Sequence, residues 1–220
     1  MNVRTLQPRR LFVLALLTGF QVLAKAATMP PVQMKVVDED GAPVAGVVAM
    51  FGGTAREGTI TGHGGRQAVL FAAESVSDAS GALRFAKQEF SARPFFLNTN
   101  YQNPAMLMLK PGYEPLILRN ELRIIPTLAE ASVWERDGQT IKLKRATAES
   151  QLGYVITLYT DLMLSQCTWK RVPRTLVAAD RMFPKPHKTT SLGALFLNDA
   201  LFAQQCGGSP KAFFQPYLSP

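Results

Sequence analysis

Residues 37–48 read VDEDGAPVAGVV: three acids, a glycine and a proline between runs of valine. Either these acids hold a metal or they turn the chain. Asp38, Glu39 and Asp40 stand immediately before Gly41. Asp is common where a chain reverses because its short side chain bonds to nearby backbone N–H groups. Pro43 then presets its own backbone angle, and Gly46 permits an angle other residues avoid. A calcium loop takes several further oxygen ligands at alternate positions and closes on a distant Glu. No such series follows Asp38. The stretch therefore reads as a corner between two strands, VQMKVV before it and VVAMF after it.

Working outward, short apolar runs alternate with turn residues. Strands are expected over residues 32–37 and 47–51. Residues 75–78 and 82–85 bracket the turn DASG. Residues 105–109 (AMLML) and 116–118 (LIL) flank KPGYEP. Residues 133–136 and 140–144 flank Asp137-Gly138, a pair that favours a tight hairpin. Residues 119–126 (RNELRIIP) read as a loop or as a further strand. Several short strands with regular turn signals point to an antiparallel sandwich.

Three blocks carry a resemblance: VVDEDGAPVAGVVAMF, SVSDASGALRF and AMLMLKPGYEPLIL. Together they resemble the carboxypeptidase regulatory-like family. Asp38, Gly41, Pro43, Val44 and Gly46 match its first block. Asp78, Gly81 and Phe85 match its second, with one additional residue before the Phe. Gly112 and Tyr113 match its third. The resemblance covers roughly residues 32–146 and implies a seven-stranded, Ig-like (prealbumin-like) β-sandwich without catalytic residues of its own. Such modules stabilise or bind, often in secreted or outer-membrane proteins. The long segment GGTAREGTITGHGGRQ departs from the pattern, where the family has a short connection.

The first 26 residues are expected to be a cleaved signal peptide. Arg4, Arg9 and Arg10 precede a short apolar run, and Ala24 and Ala26 form an A-x-A pattern. The run is shorter than the roughly 20 apolar residues a spanning helix needs. RRLFVL also resembles a twin-arginine signal, so the export route stays open. The leader holds four bases and no acid, so its removal takes the net charge from +8 to +4. A charge that small gives no reason to invoke nucleic acid. Periplasmic or secreted localisation follows, and there an even pair of cysteines, Cys167 and Cys206, is expected to form one disulfide.

Beyond residue 146 the pattern changes to helical spacing. The domain division is thus a signal peptide (1–26), a sandwich (27–146) and a small helical C-terminal region (147–220), giving an α+β fold. In AESQLGYVITLYTDLMLSQC, Leu152, Val155, Ile156, Tyr159, Leu162 and Met163 mark one apolar face. A second helix is expected through TLVAADRMF. The third is SLGALFLNDALFAQQC, capped by Thr190, ended by Gly207 and striped by Leu192, Leu195, Phe196 and Phe202.

Few residues are suited to chemistry. There are two histidines, His63 and His187. The GHGGR around His63 is similar to the segment that builds an oxyanion hole in some esterases. No G-x-S-x-G accompanies it. Cys167 with His187 as base needs a free thiol, which the disulfide removes. Hydroxyisourate hydrolases and intradiol dioxygenases use related sandwiches. The ending QPYLSP lacks the motif of the first, and the chain lacks the His-x-His pair of the second. Zinc ligands in closed spacing are also lacking. The expectation is a non-catalytic binding or accessory protein of the cell envelope, with no cofactor or metal. An envelope component or protein partner would meet Lys170, Arg171, Arg174, Phe213, Phe214 or Tyr217; the aromatic tail packing back on the body is the other outcome. A hydrolase built on the His63 loop and a structural subunit of an envelope or secretion assembly are the alternatives.

Overall fold

The computed structural model describes residues 26–57, 67–91, 99–121, 125, 127–146, 165–182 and 190–218. The leader up to residue 25, residues 58–66 with His63, the expected helix as far as residue 164 and the segment holding His187 lie outside these residues. The ends of the glycine-rich segment, residues 52–57 and 67, prolong two strands instead of forming a loop, and the expected helix ends as a 3₁₀ turn from Ser165.

The opening stretch is a corner. Asp38 Oδ1 accepts from the backbone N–H of Asp40 (3.1 Å) and Ala42 (2.9 Å). Gly41 donates back to the Asp38 carbonyl at 3.1 Å, with φ +85°. The turn DASG repeats the pattern atom for atom. Asp78 Oδ1 accepts from Ser80 N (2.9 Å) and Ala82 N (3.0 Å), and Gly81 has φ +76°. Ser80 Oγ and Arg84 also donate to Asp78, and these bonds hold its carboxyl well below the usual carboxylate range. An aspartate whose oxygens are filled by its own turn is a structural cap. Asp38 Oδ2 is taken as well, by Arg145 at 3.3 Å.

These corners set up the sheets. Strand β2 (Val32–Val37) alternates, with Val32, Met34 and Val36 buried and Gln33 and Lys35 exposed. It pairs antiparallel with β5 (Ala82–Phe85) and parallel with β10 (Thr140–Lys142). A larger sheet runs in the order β4 (Gln67–Val76), β3 (Val48–Glu57), β8 (Ala105–Leu109), β9 (Leu116–Arg119). Strand β7 (Thr99–Tyr101) adds to the far end of β3. Strands β1 (Ala26–Met29) and β6 (Gln88–Ser91) form a two-stranded ribbon.

Ten strands in three sheets thus stand among the described residues, where seven were expected. The hairpin expected at Asp137-Gly138 is also corrected. Residues 133–136 are not a strand, and β10 runs parallel to β2. The reason is tertiary. Asn120, 3% exposed, takes the backbone of Val133 and Glu135 with its amide. Asp137 Oδ1 accepts from Gln33 N, and Gly138 N donates to Gln33 O, both at 2.7 Å. The turn is fastened to β2 instead of closing on itself. Before it lies a short helix, α1 (Leu128–Ala131), with a full capping box between Thr127 and Glu130.

Two cores flank the larger sheet. The first lies between the sheets: Met34, Val36, Phe51, Phe71, Leu83, Met106, Met108 and Ile141 all belong to it. Phe51 sits at its centre, 5.3 Å from Phe71 and 4.8 Å from Trp134 between ring centroids. Gly53 makes room for the Phe71 ring, since a Cβ there would stand 2.5 Å from it. The second core lies on the other face. Met50, Ala72, Leu107 and Leu109 meet Trp169, Leu176, Leu192, Leu195 and Phe214. Strand β8 feeds both, methionines to one side and leucines to the other, which is why all of residues 106–109 are buried.

The second core is closed by a 3₁₀ helix (Ser165–Arg171) and four α-helices. These are α2 (Pro173–Met182), α3 (Ser191–Leu197), α4 (Asp199–Cys206) and α5 (Pro210–Leu218). The single helix expected through SLGALFLNDALFAQQC is two. Asn198 breaks it: its side-chain amide donates to the Ala194 carbonyl at 2.9 Å, and its backbone leaves the helical region. Thr190 caps the first piece through Gly193 N, and Gly207 ends the second at φ +66°.

Candidate functional site

The residues singled out in the C-terminal region converge on one place. Cys167 and Cys206 form a disulfide, Cα atoms 5.6 Å apart, that joins the 3₁₀ helix to the end of α4. Lys170 Nζ donates to the carbonyls of Cys206 and Gly207, capping the negative end of α4. It also lies 5.3 Å from the Trp169 ring centroid. Trp169 is fully buried and packs on Phe213 (5.1 Å) and Phe214 (5.9 Å). Tyr217 lies 5.8 Å from Phe213, and the Arg174 guanidinium lies 5.9 Å from the Tyr217 ring.

This arrangement gives several of the candidate contacts partners inside the chain, while Arg171 and Arg174 stay exposed. Phe214 is 0% exposed and offers nothing to a partner. Phe213 and Tyr217 are half-buried against it, and the aromatic tail that carries them is the helix α5. Lys170 serves a helix end, and Arg174 is bound as described below. His63 and His187 lie outside the described residues.

The residue missed from sequence is Glu74. Its side chain is 6% exposed, on the sheet face that meets the helices. It accepts from the backbone N–H of Arg174 (3.2 Å) and Thr175 (3.0 Å) and from Thr175 Oγ1 (3.2 Å). Arg174 Nη1 stands 3.6 Å away. Helix α2 begins with Val172-Pro173, which supplies no capping side chain, so its first N–H groups need an acceptor from elsewhere. Glu74 is that acceptor, and it joins the sheet to the helices. The missing local cap was the one signal in the sequence. It did not say which acid would answer.

Burial pushes the Glu74 carboxyl above its usual 4.5, against the pull of the N–H donors and Arg174. A carboxyl raised in the folded state favours folding while protonated, and that contribution is lost as pH rises through the folded value. Stability of the native chain relative to Glu74→Gln is therefore expected to be greatest near pH 4 and to decline towards pH 7. Urea unfolding of both proteins across that window checks it. A gap widening in favour of the native chain as pH rises contradicts the assignment.

Among the described residues no helix is long and apolar enough to cross a membrane, and no cluster of three potential metal ligands occurs. No family model matches the chain, and no curated protein matches it. Among solved structures it is similar to 3-chlorocatechol 1,2-dioxygenase from Rhodococcus opacus 1CP. The identity is 14%, the TM-score 0.30, and the match covers 57% of this chain and 63% of that one. It is also similar to chlorocatechol 1,2-dioxygenase from Pseudomonas putida, at 12% identity and TM-score 0.29, covering 56% and 60%. The chain thus spans about three-fifths of the length of either neighbour. These neighbours are enzymes, and on that finding the expectation of a non-catalytic chain is withdrawn. Likeness this slight assigns no reaction in its place.

Proposed function

We propose that this chain is an extracytoplasmic binding or accessory module of the cell envelope. In this reading the sheets are a carboxypeptidase regulatory-like sandwich, of the seven-stranded prealbumin-like kind with strands added at its edges. The helical layer is the surface that meets a partner. The twin Asp-x-x-Gly corners and the two sheets sharing one core support the first part. The disulfide supports a compartment beyond the cytoplasm, in keeping with a leader over residues 1–26.

The observation that carries the second part is where apolar surface is left uncovered. Five large apolar side chains are exposed among the described residues, and three of them, Leu197 (78%), Leu201 (51%) and Leu218 (42%), belong to α3, α4 and α5. Leu197 and Leu201 are four residues apart across the Asn198 break. Uncovered apolar groups gathered on one layer mark contact surfaces more often than the same groups scattered singly. The test is site-specific photo-crosslinking in intact cell envelopes. A crosslinking residue at position 197 or 201 should yield a discrete adduct, and one at Lys87, exposed in the connection between β5 and β6, should not. Adducts of equal yield at all three positions, or at none, refute the reading.

A further inference from the structure

We infer that the Cys167–Cys206 disulfide is a redox latch on helix α4. A dithiol reductant opens it in the folded protein, and α4 comes away while the sheets and the other helices stay packed. This concerns the chain's own conformational equilibrium and stands whether or not the helical layer binds a partner.

Three observations meet at the bond. First, α4 has no buried residue, alone among α1 to α5. Its neighbours are anchored, α3 by Leu192 and Leu195 and α5 by Phe214. Helix α4 is thus a bridge between two fixed piers, and of its own side chains only Phe202 and Cys206 pack, partly buried, on the second core. Second, what holds it is concentrated at its two ends. At the start, Asp199 accepts from Ser209 Oγ (2.8 Å) and Lys211 N (2.9 Å). At the finish stand the disulfide and the Lys170 ammonium on the Cys206 carbonyl. An eight-residue helix has little stability of its own, so releasing its end lets it melt. Third, Cys167 has φ +60°, the left-handed region, and it is the only non-glycine there among the described residues. A residue with a Cβ keeps that conformation only where its surroundings impose it, and such residues gather at switches. Neither cysteine is fully buried; both are partly exposed.

The chemistry balances with a dithiol as co-reactant. One thiolate of the reductant attacks either sulfur, the S–S bond breaks, and a mixed disulfide forms. The second thiol of the reductant then displaces the protein sulfur. Two electrons pass to the cysteines, the two thiol protons of the reductant end on Cys167 and Cys206, and the reductant leaves as its disulfide. Opening the bond frees Phe202, half-buried against the second core, to reach solvent.

Hydrogen exchange on the full chain, with and without excess dithiothreitol and without denaturant, decides the matter. After reduction is confirmed by mass, peptides covering residues 199–206 should exchange about tenfold faster, and peptides of β2, β3 and β8 should be unchanged. The double variant Cys167→Ser, Cys206→Ser should match the reduced protein; if it does not fold, the reduced native chain alone gives the answer. Three results overturn the proposal: unchanged protection of α4 after reduction, loss of protection throughout the sheets, or a bond that resists dithiothreitol until denaturant is added.

Discussion

Replacing Gly81 with alanine is expected to destabilise the protein by about 3 kcal/mol, whereas the same change at Gly41 should cost only about 1 kcal/mol. The two glycines occupy equivalent places in equivalent corners, at φ +76° and +85°. Each would force an alanine into the left-handed region. Their surroundings differ. A Cβ at Gly41 meets nothing within 4 Å, but at Gly81 it would stand 2.3 Å from the Val36 carbonyl oxygen. That oxygen is backbone of the central strand β2, and Val36 N donates to the Gly81 carbonyl at 2.8 Å. Neither partner can yield without opening the pairing of β2 with β5. Urea unfolding of the two variants separates conformational strain from steric clash. Equal losses would mean that the corner at Gly81 relaxes, and that the two corners do not press on each other.

Trp169→Ala is expected to cost about 3–5 kcal/mol, the range for emptying a large aromatic site in a core. Trp169 is the largest fully buried side chain and the hub of the second core, in contact with Phe213 and Phe214. It also precedes Lys170, whose ammonium caps α4. Trp169→Phe should cost clearly less than Trp169→Ala, because a ring remains in place and only part of the site is emptied. The indole N–H finds no acceptor among the described residues, so phenylalanine forfeits no hydrogen bond there. Urea midpoints of both variants at equal slope provide the measurement. If phenylalanine proves as costly as alanine, the indole nitrogen has a partner and the apolar account of this core fails.

Some features needed only neighbours in the chain. The corners at Asp38 and Asp78 close through bonds between residue i and residues i+2 to i+4, so the residues that make them are written side by side. The cap at Thr190 and the left-handed end at Gly207 are equally local. The strand at residues 105–109 carries a further local signal. Five apolar residues in a row mean two buried faces, and hence a layer on each side. The break at Asn198 was harder to read, because it depends on one side chain competing for one carbonyl within a segment whose spacing is otherwise helical.

Lys170, Arg174 and Phe214 show where such reading ends. Their composition suggested a partner surface; Lys170 and Arg174 also have partners within the chain, at Gly207 and Glu74, and Phe214 fills a core. The fate of a charged or aromatic side chain depends on what lies within a few ångströms, and Glu74 is 100 residues from Arg174.

The chain by itself determined its two turns, its cysteine pair and the passage from strands to helices, because periodicity and turn chemistry act over four or five residues. Folding in three dimensions alone decided that β10 lies parallel to β2, that the helices cover the free face of β3 and β8, and that Glu74 caps α2. Each of those choices is a contact between distant segments, selected by which apolar face needed cover and which N–H needed an acceptor.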